Sequence, residues 1–171
     1  SETATEMRLY GRDLYNSLEA ETGLSTGFTP VGFIEAAGNR DRLEEYRRVA
    51  EFNRYCGVDV NEISPEEIEK LFPLANVDDL LAGFYVKEDG RVNPVDGTMA
   101  LAKGARNQGV KIYQDVSSTG VIKENGRVKG VRTTAGEIKA DVVVNCAGMW
   151  ARQIGDVDGI NIPNQSAEHY Y

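Results

Sequence analysis

From Thr5 to Glu21 apolar residues recur at three- and four-residue spacing, with Met7, Tyr10, Leu14 and Leu18 on one side. This predicts an amphipathic helix, and Gly23 supplies the left-handed stop. Thr29-Pro30-Val31-Gly32-Phe33-Ile34-Glu35-Ala36 then reads as a strand entered through proline. A second helix is expected after Asn39 or Asp41, either of which can cap it, with Leu43, Tyr46, Ala50 and Phe52 inward and an end at Gly57. Ser64-Pro65-Glu66-Glu67 carries a capping serine, proline at the first helical position and glutamate at the third, so a short helix starts there and stops before Pro73. Phe84–Val86 reads as a brief strand. Asn93-Pro94 opens a further long helix to Gly109, and its Ala100, Ala102, Gly104 and Ala105 are small enough to lie close against a sheet.

Past Gly109 the period changes. Val110-Lys111-Ile112-Tyr113 alternates as a strand does. Val121 to Val131 is a hairpin whose Asn125-Gly126 supplies both positive φ angles of a type I′ turn. Ala135-Gly136 makes a second turn, which predicts a three-stranded antiparallel meander. Asp141-Val142-Val143-Val144-Asn145 is apolar without alternation, as a parallel strand covered on both faces would be. Such a strand needs parallel neighbours, and few candidates exist here, so its partners are expected in polypeptide beyond these residues. The closing Ala167-Glu168-His169-Tyr170-Tyr171 reads as a strand cut mid-run, which marks the chain as an internal piece. The fold class expected is mixed α/β.

Composition narrows the function. With 41% apolar content, 171 residues can bury a core. The balance of 19 basic against 27 acidic residues, a net of −8, and the absence of any run of five Lys/Arg argue against nucleic acid or an anionic membrane as partner. No apolar run is long enough to cross a bilayer, and Ser1–Glu6 lacks a signal-peptide layout. Asn164-Gln165-Ser166 matches the glycosylation sequon, which is empty outside the secretory path. Cys56 and Cys146 form no CxxC, and one histidine cannot build an imidazole cluster, so no metal site is expected. Both thiols are expected to be reduced and packed, as suits an intracellular protein.

Several motifs are missing. The glycine fingerprint GxGxxG, which lets backbone approach a pyrophosphate, is absent. Gly104 to Lys111 resembles a phosphate loop only superficially, because its lysine is displaced and no Ser/Thr follows. The nucleophile elbow GxSxG is absent too, which leaves Ser166 near His169 as weak grounds for a hydrolase. What remains is Val143-Val144-Asn145-Cys146-Ala147-Gly148-Met149-Trp150-Ala151. A buried strand closing in Ala-Gly leaves amides uncovered by side-chain bulk, at the strand end where open α/β sheets take ligands. The plainer alternative, that Gly148 turns the chain and Trp150 packs, stays open.

Four segments occur in the order found in the D-amino-acid-oxidase-like flavoproteins: Gly90-Arg91-Val92-Asn93-Pro94, the Val-Lys-Gly-Val hairpin, Asn145 to Ala151, and Ala167 to Tyr171. Within that superfamily the chain most closely resembles the dimethylglycine and sarcosine dehydrogenases, over essentially its whole length. The resemblance implies part of a doubly wound FAD domain with an antiparallel meander, interleaved with part of a substrate-binding sheet domain. Residues 1–25 would be an FAD-domain helix and 26–89 a substrate-domain insertion. Residues 90–155 would return to the FAD domain, as helix, meander and parallel strand, and 156–171 would begin a second substrate-domain segment.

The same resemblance assigns site residues. Ser118, where relatives commonly carry valine, would touch the adenine end of FAD through its backbone. Cys146, Ala147, Gly148 and Trp150 would approach the cofactor as well. His169 would face the flavin ring from the substrate cavity and act catalytically. Alternation puts it on one strand face with Ala167 and Tyr171, while a core histidine bonded to a carbonyl is the bland alternative. The implied chemistry is oxidative demethylation of a small N-methylated amine, dimethylglycine or sarcosine, with an electron-transfer flavoprotein as a candidate partner. Tetrahydrofolate would bind domains beyond Tyr171. The location implied is the bacterial cytosol or, alternatively, the mitochondrial matrix. The rival class is a non-catalytic regulatory subunit of the same architecture, of the pyruvate dehydrogenase phosphatase type. The glycine fingerprint and flavin-linked histidine would lie before Ser1, so these residues alone are expected to hold no stable FAD and to be inactive.

Overall fold

The computed structural model describes residues 1–168, in two compact units: Ser1–Lys111, and a second that begins at Ile112. His169, Tyr170 and Tyr171 lie outside the described residues.

In the first unit, α1 spans Glu2–Thr22 and stops at Gly23, whose φ of 71° is left-handed, as the period predicted. Strands β1 (Phe33–Ala37), β2 (Asn61–Ile63) and β3 (Ala82–Val86) form an antiparallel sheet in the order β1-β3-β2. The short β2 has no alternation long enough to show in the sequence; it exists because β3 offers it a ladder. Helix α2 (Arg40–Tyr55) is capped by Asn39, whose side chain accepts from the Arg42 amide. Its buried Ala50 meets Val60 and Phe84 in a core flanked by Leu43, Tyr46, Val58 and Val86. Tyr46 stands edge-on to Phe84, ring centroids 5.8 Å apart. Phe52, expected inward, is 39% exposed and lies beside Tyr55 instead. Helix α3 (Pro65–Leu71) has a complete capping box between Ser64 and Glu67, and its Ile68 packs against Gly83 on β3.

Helix α4 (Pro94–Asn107) begins at Asn93, whose side chain accepts from the Val95 and Asp96 amides. Its buried stripe of Gly97, Ala100 and Gly104 lies against α1 rather than against a sheet. A Cβ on Gly104 would sit 3.4 Å from Thr22 and 3.8 Å from Leu18, so the small residues permit a close helix pair. Gly90, at the head of the Gly-Arg-Val-Asn-Pro run, has a separate reason. A Cβ there would fall 2.1 Å from the Thr29 carbonyl oxygen, where Thr29 pairs with Arg91.

Where the two units join, Val110–Tyr113 departs from expectation: it forms no strand and its apolar residues are exposed. The meander is as predicted: β4 (Ser118–Glu124), β5 (Arg127–Thr133) and β6 (Gly136–Lys139) pair antiparallel in that order. Asn125 and Gly126 hold the hairpin turn at φ 51° and 75°. A 3₁₀ turn over Gly148–Trp150 leads into α5 (Ala151–Val157).

The segment Asp141–Asn145 forms no strand, which corrects the clearest reading of the sequence. Val142 and Val144 are 76% and 75% exposed. A strand is defined by its ladder, and no described residue offers these amides one. The apolar pattern recorded burial that these residues do not provide for themselves.

Candidate functional site

The run after the valines is an irregular segment held by several hydrogen bonds. Asn145 fixes it from both ends of its amide: Oδ1 accepts from the Ala147 amide at 3.1 Å, and Nδ2 donates to the Ala151 carbonyl at 3.0 Å. The Trp150 amide closes the turn on the Ala147 carbonyl at 3.0 Å. Gly148 sits at φ 54° with open space where a Cβ would be, so its backbone is unscreened from one side. Asn164 returns to the turn and donates to the Gly148 carbonyl at 2.9 Å, while Ser166 donates to the Met149 carbonyl at 3.4 Å.

The predicted site residues fall as follows. Ala147 and Gly148 form the turn itself, and the Trp150 indole, 62% exposed, stands at its end. Cys146 is exposed and unoxidised, not packed as expected; Cys56 is half-buried. Ser118 is the first residue of β4, exposed, paired across the ladder with Thr133. His169 lies outside the described residues. The helix following the turn, α5, packs on β4, so Ser118's strand and the Ala147–Trp150 turn belong to one packed arrangement.

Sequence reasoning missed Asn145, Asn164 and Asp158. For Asn145 the signal was present, because asparagine two residues before a turn amide is the Asx-turn spacing. Asn164 and Asp158 act across 16 and 37 residues, and nothing local announces them. The perturbed ionisations lie elsewhere, on the first unit. Hydrogen bonds from Arg47 hold the Glu62 carboxyl below its ordinary value, and the Ser64 side chain does the same for Glu66. A cleft of about 890 Å³ also lies in the first unit, lined by Tyr15, Phe28, Glu35, Tyr46 and Phe84 among others. No group of three metal-ligating side chains occurs among the described residues.

An open Ala-Gly backbone with an exposed indole suits a contact along the edge of a dinucleotide. It does not replace the glycine turn that a pyrophosphate requires. The residues therefore fit part of an FAD site.

The family comparison decides the class: the DAO family, FAD dependent oxidoreductase, matches residues 1–171. This chain belongs to the FAD-dependent oxidoreductases. Among curated relatives of this oxidoreductase chain, the mitochondrial pyruvate dehydrogenase phosphatase regulatory subunit of Mus musculus is 38% identical across all of it and 20% of that protein. Mitochondrial sarcosine dehydrogenase of Homo sapiens is 38% identical over 94% of the chain and 18% of its own length. Dimethylglycine dehydrogenase of Rattus norvegicus is 37% identical over 92% and 18%. The chain thus spans about a fifth of the curated relatives it matches. Of solved structures, L-proline dehydrogenase from P. horikoshii aligns with a TM-score of 0.79 at 30% identity, covering 87% of this chain and 39% of that one. The mixed α/β architecture of this chain, with its antiparallel sheets, is thus structurally similar to that enzyme.

Proposed function

We propose that this chain is part of an FAD-dependent amine dehydrogenase that oxidatively demethylates N-methylglycines, either dimethylglycine or sarcosine. The observation that carries the reading is 37–38% identity to enzymes of those names over more than nine-tenths of the chain. The open turn at Ala147-Gly148 supports it, as a backbone shaped for close approach.

In this reading residues 1–25 and 90–155 serve the cofactor domain, and 26–89 and 156–171 serve the substrate domain. Ser118 and the run Cys146, Ala147, Gly148 and Trp150 lie along FAD. Bound there, FAD would supply the hydride acceptor for oxidation of the amine's N-methyl carbon. The chain's own task is to orient the amine, exclude water and manage a proton. A protonated amine has no lone pair to assist C–H cleavage, so the imidazole of His169 takes up the ammonium proton before oxidation. Water then releases formaldehyde from the iminium product. Tetrahydrofolate capture of that formaldehyde, an electron-transfer flavoprotein as oxidant, and a bacterial cytosolic or mitochondrial matrix location complete the proposal. No helix among the described residues is long and apolar enough to cross a membrane.

The test uses the full-length protein. Yellow protein bleached by sarcosine or dimethylglycine, with formaldehyde released, is the expected result; a flavin that neither amine reduces refutes the substrate class. Replacing His169 with Ala should lower turnover and move the acid limb of its pH profile upward. The regulatory-subunit reading is favoured by the 38% identity to that protein along the whole chain. It predicts no amine-dependent bleaching.

A further inference from the structure

We infer that Asp158 is a positioning residue, which braces the Asn145–Trp150 turn against the middle of β4 and so sets the edge presented to the cofactor. The inference rests on the proposed function in taking Ser118 and the turn as cofactor-facing.

The brace is built at the end of α5. Both Asp158 carboxylate oxygens lie 3.0 Å from the Val121 amide nitrogen, three residues into β4. The Asp158 carbonyl accepts from Lys123 Nζ at 2.9 Å. Beside it, Val157 comes within 3.5 Å of where a Cβ on Gly120 would sit. Gly120 itself is buried, so α5 packs on β4 at this point.

The acceptor matters because β4 is an edge. Among the described residues it pairs only with β5, and the register slips between Ser118 and Gly120, so its outward amides depend on something other than this sheet. A carboxylate supplies a charge-assisted bond there, stronger than water would. From that anchor, α5 runs seven residues back to the turn, a rod of about 10 Å at 1.5 Å per residue. Its far end is clamped by Asn145 on the Ala151 carbonyl and by Asn164 on the Gly148 carbonyl. One carboxylate therefore holds one end of a rigid piece whose other end is the open backbone at Gly148. The ladder of β4 with β5 does not need Asp158, so losing it frees the turn without dissolving the sheet.

The full-length protein carrying Asp158→Ala or Asp158→Asn tests this by two readouts. Amide hydrogen exchange is expected to rise about tenfold in Asp158→Ala at Val121 and over residues 147–151, with β5 unchanged; a charge-assisted bond lost at a strand edge is worth roughly that factor. Flavin per chain and the visible circular dichroism of the bound flavin are expected to fall with it. Asp158→Asn, which keeps an oxygen for the Val121 amide, should restore both toward the parent. If the parent binds flavin and Asp158→Ala leaves its content and dichroism unchanged, the inference is wrong while the proposed function stands. If β5 exchange rises equally, the residue merely supports the sheet, and the inference again fails. If the parent binds no flavin, the proposed function falls, and the exchange pattern still decides whether the brace exists.

Discussion

The α2–sheet body of the first unit and the valine segment of the second carry comparably apolar residues, yet only the first encloses them. Phe84 and Ala50 are 3% and 1% exposed, whereas Val142 and Val144 remain three-quarters open. The difference is one of partners rather than hydrophobicity. Between Phe33 and Val86 the chain supplies a sheet, a helix on each face and caps for both helices. Between Asp141 and Asn145 it supplies one apolar stretch, and no described residue pairs its amides. A hydrophobic pattern states a demand for burial; whether the demand is met depends on which chain segments come near.

Removing Phe84 should disturb this contrast most. Phe84→Ala is expected to cost about 4 kcal/mol in denaturant unfolding of the first unit, by lost transfer energy plus the cavity left under Tyr46; a cost below about 1 kcal/mol would show the core to be loose. Gly90→Ala should follow at about 2 kcal/mol, because its Cβ cannot coexist with the Thr29 carbonyl unless the Thr29–Arg91 pairing opens. Thermal melts of the variant, compared with the parent, check it. Ser64→Ala deletes half of the α3 capping box and should cost about 1 kcal/mol.

The Arg47–Glu62 pair should matter less, since it is an exposed ion pair. Glu62 has its carboxyl pulled below the ordinary value by Arg47. Its contribution is thus complete above the ordinary glutamate range and disappears as the pH drops past the lowered folded value. Glu62→Gln should lower the melting temperature slightly at neutral pH and not at all in strong acid; an equal loss at both would contradict the pairing. In these 171 residues by themselves, Val144→Ser should do least, within about 0.5 kcal/mol, as for other exposed sites. A cost above about 1 kcal/mol would mean the valines are covered in solution, and the comparison would dissolve.

Most of the helices and the meander were legible from the chain, because caps, stops and turns act within a few residues. Gly23, Asn39, Ser64-Pro65, Asn93-Pro94 and Asn125-Gly126 all perform the local role their chemistry specifies. Elements that depend on remote ladders were not legible. The strand Asn61–Ile63 went unseen because its partner is some twenty residues away, and Val110–Tyr113 alternates without becoming a strand. At the candidate site the Ala-Gly turn was readable, while the residues that hold it in place were not.

What the amino-acid order settles by itself is where backbone must bend, where helices begin and end, and which stretches seek burial. Those are local matters of φ preference, hydrogen-bond capping and period. Tertiary structure alone decided that α4's small face meets a helix and not a sheet, that Asn164 and Asp158 hold the turn and its helix, and that the valines stay open. Each of those depends on contacts between residues distant in the chain, whose energies exist only once the segments are in place.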